Sequence, residues 1–269
     1  MSGTRSLVML AVFNLIGLIV VIVVNVLATT VPLGGKTTGE LSAALPNLFV
    51  PSGITFSIWG VIYLLLAVFV GYGLLESIRN TEAAQRFLAR IGLLFVVTCV
   101  ANVGWIFAWH YQLLPLSLVW MAILLLSLIR IYLRLGVGRT HAAPLEKYLV
   151  HLPMSVYLGW ITIAAIANVT AVLVAYNWEG FGISDQVWAS VMITIGVALA
   201  LVMLFDRNDI FYTLVVDWAL LGILIRRTVE SDIPAQGVVI TSLVGIGVLT
   251  AAVVYQVARR RVYHEPARH

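Results

Sequence analysis

The sequence contains few charged residues for its length. Only 28 of its 269 residues are Asp, Glu, Lys or Arg, which is 10% of the chain, whereas a soluble domain carries about 25%. So few charges cannot cover the surface of a water-soluble globule of this size. The scarcity of charge excludes soluble enzymes, nucleic-acid-binding proteins and disordered chains. The formal net charge of +4, which in a soluble protein could indicate nucleic-acid binding, does not change this.

Reactive and metal-binding groups are also scarce. The one cysteine, Cys99, excludes an internal disulfide framework and a cysteine-based metal site. None of the five histidines forms a ligand pair of the H-E-x-x-H type. Two interpretations of His110 stay open: an axial ligand for haem iron, or a solvated histidine at the membrane interface. No catalytic group identifies itself, so the sequence favours a protein without enzymatic activity and without a required cofactor.

Long apolar runs dominate what is present. Apolar residues make up 61% of the chain and the mean hydropathy is +1.03. About 20 such residues cross the hydrocarbon core as a helix, and the runs do not alternate as barrel strands would. The sequence therefore predicts an all-α bundle of eight transmembrane helices in a lipid bilayer. We expect the spans at 7–29, 54–75, 88–109, 113–134, 151–175, 187–205, 210–226 and 237–258.

The positions of the basic residues predict the orientation of the bundle. With the N-terminus in the cytoplasm, 13 of the 16 Lys and Arg residues fall on the inside. This asymmetry indicates a multi-pass protein of the cytoplasmic membrane with both termini in the cytoplasm. Arg226 and Arg227 form the one cluster on the other side.

The connections between the spans divide the chain into two parts. Two connections are long: residues 30–53, which hold three prolines and four glycines, and the basic segment 135–150. A polar stretch over 177–185 separates the fifth span from the sixth. We expect a five-helix unit over residues 1–180 and a three-helix extension over 181–269.

Three of the expected spans carry aromatic side chains on one face. Trp59 and Tyr63 are four residues apart in the second span. Asn102 and Trp105 share a face of the third span, and Trp160 and Asn168 share a face of the fifth. Such stripes suit a pocket that stacks a flat apolar ligand and bonds its polar edge. Plain packing, with the amides joining helices, is the alternative, and Trp109 near a span end suits the interfacial belt.

At these stripes the sequence resembles the TspO/MBR family of tryptophan-rich sensory or translocator proteins. The segment PSGITFSIWGVIY (51–63) is similar to the family signature through Pro51, Phe56, Trp59 and Tyr63. The pairs Asn102 with Trp105 and Tyr157 with Trp160, the latter followed by Ala164 and Asn168, resemble the motifs of its third and fifth helices. The resemblance covers about residues 5–176.

The resemblance implies a five-helix core and a ligand. The ligand would be a tetrapyrrole, such as protoporphyrin or haem, or a sterol-like lipophile, held for sensing, transport or disposal. Six residues are carried over as ligand-binding: Trp59, Tyr63, Asn102, Trp105, Trp160 and Asn168. The chain departs from the family pattern in two ways. Ser57 stands where the family has a proline before the motif tryptophan, and three helices are added after the fifth.

One charge lies in the middle of a predicted span. Asp217 follows FYTLVV and precedes WALLGILIRR, and a carboxylate at the bilayer centre is a functional candidate by default. It suits a proton- or ion-coupled transporter, or else a structural bond between helices. A further alternative is a non-catalytic subunit whose last three helices dock onto a larger membrane complex. A homodimer stays open as a separate form of partnership. Enzymatic degradation of a porphyrin stays open only through the resemblance.

Overall fold

The described part of the chain is helical. The computed structural model describes residues 2–31, 33–45, 47–139, 142–230, 233 and 235–263, and none of them lies in a strand. The all-α prediction is therefore confirmed. The α-helices are α1 (Ser2–Thr30), α2 (Thr38–Ala43), α3 (Ile58–Ile78), α4 (Glu82–Ile91), α5 (Leu94–His110), α6 (Leu114–Leu135), α7 (Pro144–Glu146), α8 (Leu152–Ala175), α9 (Asp185–Arg207), α10 (Ile210–Thr228) and α11 (Gln236–Tyr263).

The helices confirm a multi-pass membrane protein, but not the count of eight spans. Among the described residues, six helices are long and apolar enough to cross a bilayer, or seven if α4 and α5 form one span. The helix α10 does not meet that standard because Asp217, Arg226 and Arg227 place three charges within its 19 residues. It nevertheless forms a continuous helix where the seventh span was predicted.

The third predicted span is broken, and its prediction as one helix over 88–109 is wrong. The helices α4 and α5 meet at an angle of 49°. Gly92, which ends α4, has a φ of 53° and a ψ of −136°, a backbone conformation that residues with a Cβ rarely adopt. The helix α4 begins at its own cap, where the Thr81 hydroxyl accepts a hydrogen bond from the Ala84 amide. The predicted span began at Leu88, in the last turn of α4, and ran across Arg90 and Gly92 into the apolar helix α5.

The chain separates into two compact units. Unit 1 comprises residues 1–47 and 56–178, and unit 2 comprises residues 48–55 and 179–269. In unit 1, α1 packs against α3 and α5, α6 packs against α5 and α8, and α3 also contacts α8. Through these contacts, side chains of α1, α3, α5 and α8 meet in the interior of unit 1. In unit 2, α9, α10 and α11 pack on one another.

In unit 2 the short segment 48–55 lies along α10. The Ser52 amide donates to the Gly222 carbonyl (2.9 Å), and the Trp218 indole N–H donates to the Thr55 carbonyl (3.0 Å). A Cβ atom at Gly222 would lie only 2.0 Å from the Thr55 hydroxyl oxygen, so this close approach requires glycine. The Ser52 hydroxyl donates to Glu230, and this bond together with the Arg226 guanidinium lowers the pKa of Glu230.

Candidate functional site

The second and fifth predicted spans contribute one group of packed rings in unit 1. The ring of Trp59 on α3 stacks on Tyr63, one turn later, with centroids 5.5 Å apart and an interplanar angle of 19°. Tyr157 and Trp160 of α8 each place a ring edge-on to Trp59, with both centroids 6.2 Å away. Phe56 packs edge-on against Trp160 at 5.9 Å. We call these five residues the Trp59 cluster.

Two polar atoms of the Trp59 cluster are buried without a hydrogen-bond partner. They are the hydroxyl oxygen of Tyr63 and the indole nitrogen of Trp160. Burying such a group unpaired costs about 1–3 kcal/mol, and native interiors rarely retain it without a reason. Both atoms carry a proton that a ligand oxygen can accept. The cluster thus combines aromatic faces with two uncommitted donors.

Trp105 and Asn168, which the sequence also predicted as ligand-binding, form a different set of contacts. The Trp105 indole N–H donates to the Asn168 side-chain oxygen at 2.8 Å, and the Asn168 amide donates to the Ser117 hydroxyl at 2.9 Å. The Ser117 hydroxyl in turn bonds the Leu114 carbonyl at 2.7 Å. We call Trp105, Ser117 and Asn168 the Asn168 network. It joins α5, α6 and α8, and its polar groups bond one another.

Asn102 connects the Trp59 cluster to α1. Its side-chain oxygen accepts a hydrogen bond from Asn25 at 2.8 Å, and its amide nitrogen donates to the Tyr157 hydroxyl at 3.3 Å. All three side chains are buried. Neither Asn25 nor Ser117 was predicted as a site residue, and Tyr157 was predicted only as part of a motif. An amide within the first apolar span was the available signal for Asn25.

The connection between α1 and α3 folds against the end of α5 and holds His110. Its Nδ1 lies 2.9 Å from the Leu33 carbonyl, which can only accept, so Nδ1 carries the proton. Its Nε2 therefore accepts from the Thr38 hydroxyl at 3.0 Å. Because the side chain is only 4% exposed, the prediction of a solvated histidine is wrong for His110. Axial ligation of haem iron would require one of its two ring nitrogens to give up the bond that it makes here.

The same connection covers Trp109. Its indole N–H donates to the Thr38 carbonyl at 3.4 Å, and its ring stacks on Trp105 with centroids 5.7 Å apart. Trp109 is buried, so its prediction as an interfacial belt residue is wrong. The helix α2 begins with a capping box in which Thr37 and Glu40 bond each other, and the Thr37 backbone and hydroxyl bonds lower the pKa of Glu40.

Asp217 lies in unit 2, on α10. One of its carboxylate oxygens accepts a hydrogen bond from the Thr250 hydroxyl of α11 at 3.0 Å. The other oxygen is buried and has no hydrogen-bond partner. Only one of the two carboxylate oxygens of Asp217 therefore accepts a hydrogen bond.

Apart from these side chains, the described residues form a cavity in unit 2 but no cluster that could bind a metal. No group of three or more His, Cys, Asp or Glu side chains within them could hold a metal ion, and three histidines, His141, His264 and His269, lie outside them. A cavity of about 570 Å³ in unit 2 lies beside the first turns of α9 and is lined by Ser184, Gln186, Ser190, Thr194 and apolar neighbours. None of the predicted site residues lines that cavity.

Comparison with known proteins identifies the family. The family model described as TSPO-like protein matches residues 11–255. This range includes the Trp59 cluster, the Asn168 network and most of α11, so α9 and α10 are part of the family match. No curated protein and no solved structure matches the chain in the same comparisons. The aromatic and amide motifs that the sequence shares with that family lie within the match, and the chain belongs to the TSPO-like protein family.

Proposed function

We propose that unit 1 binds a planar lipophilic molecule at the Trp59 cluster, with a tetrapyrrole such as protoporphyrin as the first choice. The observation that carries the proposal is the pair of buried, unpartnered donors, on Tyr63 and Trp160, beside the ring of Trp59. A flat conjugated ligand gains stacking energy from such rings. Its polar edge would satisfy donors that the protein itself leaves unpaired.

The contacts of His110 do not favour it as an axial ligand for a metal-bearing tetrapyrrole. His110 engages both ring nitrogens, so it offers no lone pair to haem iron. The binding would serve sensing, transport or disposal of the ligand. Stacking and hydrogen bonding account for such binding without a covalent or redox step.

A protoporphyrin titration tests this function. The purified chain in lipid nanodiscs is titrated while the porphyrin absorption band is followed, a signal that does not depend on the tryptophans being changed. We expect saturable binding that Trp59→Leu weakens about tenfold, because Trp59 contacts three of the other four rings. Trp188→Leu, outside unit 1, is the matched control and should bind as wild type does. Absent binding, or equal weakening by both variants, would overturn the proposal, and displacement by cholesterol would widen the ligand class to sterols.

We propose ion or proton coupling through Asp217 as the second candidate function. The observation that favours it is the buried carboxylate oxygen without a partner, next to the oxygen that Thr250 binds. A carboxylate in a membrane helix is a common element of proton relays. Asp217→Asn should abolish any pH-dependent uptake into proteoliposomes, whereas Asp185→Asn, at the exposed start of α9, should leave it intact. Unchanged uptake in Asp217→Asn would remove this candidate.

We further propose that the protein lies in the cytoplasmic membrane with both termini facing the cytoplasm. The distribution of Lys and Arg supports this orientation, and it requires α10 to cross the bilayer. At 1.5 Å per residue, 19 residues reach about 28 Å, close to the hydrocarbon thickness of about 30 Å. In a Cys99→Ser background, Ser184→Cys should react with an impermeant maleimide from outside intact cells, and Asn208→Cys should not. Labelling of both from the same side would contradict the orientation.

A further inference from the structure

We infer that the Trp59 cluster selects ligands that carry a hydrogen-bond acceptor, above all a carboxylate, and that Asn25 on α1 sets this preference. The inference rests on the proposed ligand-binding function of the cluster and adds the chemical class of the ligand's polar edge. It follows from the direction of the hydrogen bonds that lead from α1 to α8.

The direction of these bonds is fixed at a backbone carbonyl. The Asn25 side chain lies 2.8 Å from the Val21 carbonyl oxygen, which can only accept, so the atom facing it is the amide nitrogen. The same nitrogen donates its second proton to Asn102 at 2.8 Å. The Asn102 side chain must therefore present its oxygen to Asn25. Its nitrogen, by exclusion, faces the other way.

The other side of Asn102 determines what Tyr157 can do. The Asn102 amide donates to the Tyr157 hydroxyl oxygen at 3.3 Å. Because that oxygen is already an acceptor in this bond, its own proton is the group it offers to a further partner. The hydroxyl makes no other bond within the described residues. Tyr157 thus joins Tyr63 and Trp160 as a donor, and all three rings contact Trp59.

The cluster therefore offers three protons to a ligand, those of Tyr63, Tyr157 and Trp160. The Trp160 N–H can only donate, and the side-chain oxygen of Asn102 is engaged by Asn25, so that among these groups only the tyrosine hydroxyl oxygens can still accept. A ligand carboxylate or carbonyl can accept from these groups, and a carboxylate forms the stronger, charge-assisted bonds. A planar lipophile with only alkyl substituents leaves the same donors unsatisfied. Asn25 is a positioning residue, since it acts on the ligand only through Asn102 and Tyr157.

Three porphyrins that differ only in their peripheral groups test the inference on the wild-type chain in nanodiscs. Protoporphyrin carries two carboxylates, its dimethyl ester carries uncharged carbonyls, and etioporphyrin carries alkyl groups alone. We expect protoporphyrin to bind about tenfold more tightly than etioporphyrin, with the ester between them. Equal affinity for protoporphyrin and etioporphyrin would overturn the inference and leave the proposed function standing. Failure of all three to bind would overturn both.

Two variants show whether the preference for a carboxylate arises from the hydrogen bonds that join Asn25, Asn102 and Tyr157. Tyr157→Phe and Asn25→Leu should each lower the ratio of the two affinities, protoporphyrin over etioporphyrin, to about threefold or less. Tyr72→Phe, which removes a hydroxyl from a ring stacked on Phe87 outside the cluster, should leave the ratio at its wild-type value. General loosening of the fold would weaken the binding of both porphyrins alike and would leave the ratio of their affinities unchanged. A ratio unchanged in Tyr157→Phe would overturn the inference, whether or not Asn25→Leu folds.

Discussion

Two neighbouring groups of aromatic and amide side chains in unit 1 look alike in the sequence and differ in the structure. In the Asn168 network, the indole of Trp105 and the amide of Asn168 are bonded within the protein. In the Trp59 cluster, the indole of Trp160 and the hydroxyl of Tyr63 are buried and unpartnered. The first group satisfies its own polar atoms and so stabilises the fold. The second leaves donors available, which suits binding.

The largest expected effect comes from removing the centre of the Asn168 network. Asn168→Leu keeps the size of the side chain but leaves the buried Trp105 N–H without an acceptor. We expect the free energy of unfolding to fall by about 2 kcal/mol, while the affinity of the folded protein for protoporphyrin stays within about twofold. Unfolding in mixed detergent micelles and a porphyrin titration measure the two quantities. A large loss of affinity with little loss of stability would reverse the roles assigned to the two groups.

A smaller effect, on the other quantity, is expected in the Trp59 cluster. Tyr63→Phe removes only a hydroxyl that has no partner, so the free energy of unfolding should stay the same or rise by up to about 1 kcal/mol. The affinity for protoporphyrin should fall about fivefold, because one donor to the ligand is lost. Tyr72→Phe serves as the control for both measurements. The distinction between the groups fails if Tyr63→Phe destabilises the fold and binds porphyrin normally.

The smallest effect concerns the connection that covers Trp109 and the end of α5. Thr38→Val removes the proton that the Thr38 hydroxyl donates to His110. We expect a loss of about 0.5–1 kcal/mol, seen as faster amide hydrogen exchange over residues 33–45, with porphyrin affinity unchanged. Thr30→Val, whose hydroxyl bonds its own helix at an exposed position, should leave that exchange rate as it is. If Thr38→Val instead weakens porphyrin binding, the connection takes part in the site.

The sequence predicted the fold through the length of its apolar runs. A backbone that crosses lipid must satisfy all its hydrogen bonds within the protein, and an apolar run of this length does so as a helix. It missed the break at Gly92, because the prediction joined the last turn of α4 to the apolar run of α5, although Arg90 followed by a glycine is a sequence signal for the end of a helix. It also placed α10 among the spans by length, although that helix has only 19 residues, so that any 18 consecutive residues of it include Asp217, Arg226 and Arg227.

The sequence predicted aromatic and amide residues as a candidate site, but it did not predict how the structure groups them. Asn102 and Trp105 are three residues apart on one face of α5, yet Asn102 bonds Asn25 and Tyr157 while Trp105 bonds Asn168. Helical spacing shows which side chains share a face, but the partners come from other helices. Whether a buried donor is bonded or unpartnered therefore depends on packing between helices that no periodicity records.

The most direct test compares the same substitution in the two groups. Trp160→Phe and Trp105→Phe each replace an indole with a smaller ring, and each is titrated with protoporphyrin and unfolded under identical conditions. We predict that Trp160→Phe weakens binding about tenfold, and that Trp105→Phe binds within about twofold of wild type but loses more stability because its N–H bonds Asn168. Equal weakening of binding by both variants, or greater weakening by Trp105→Phe, would contradict the assignment of the site to the Trp59 cluster.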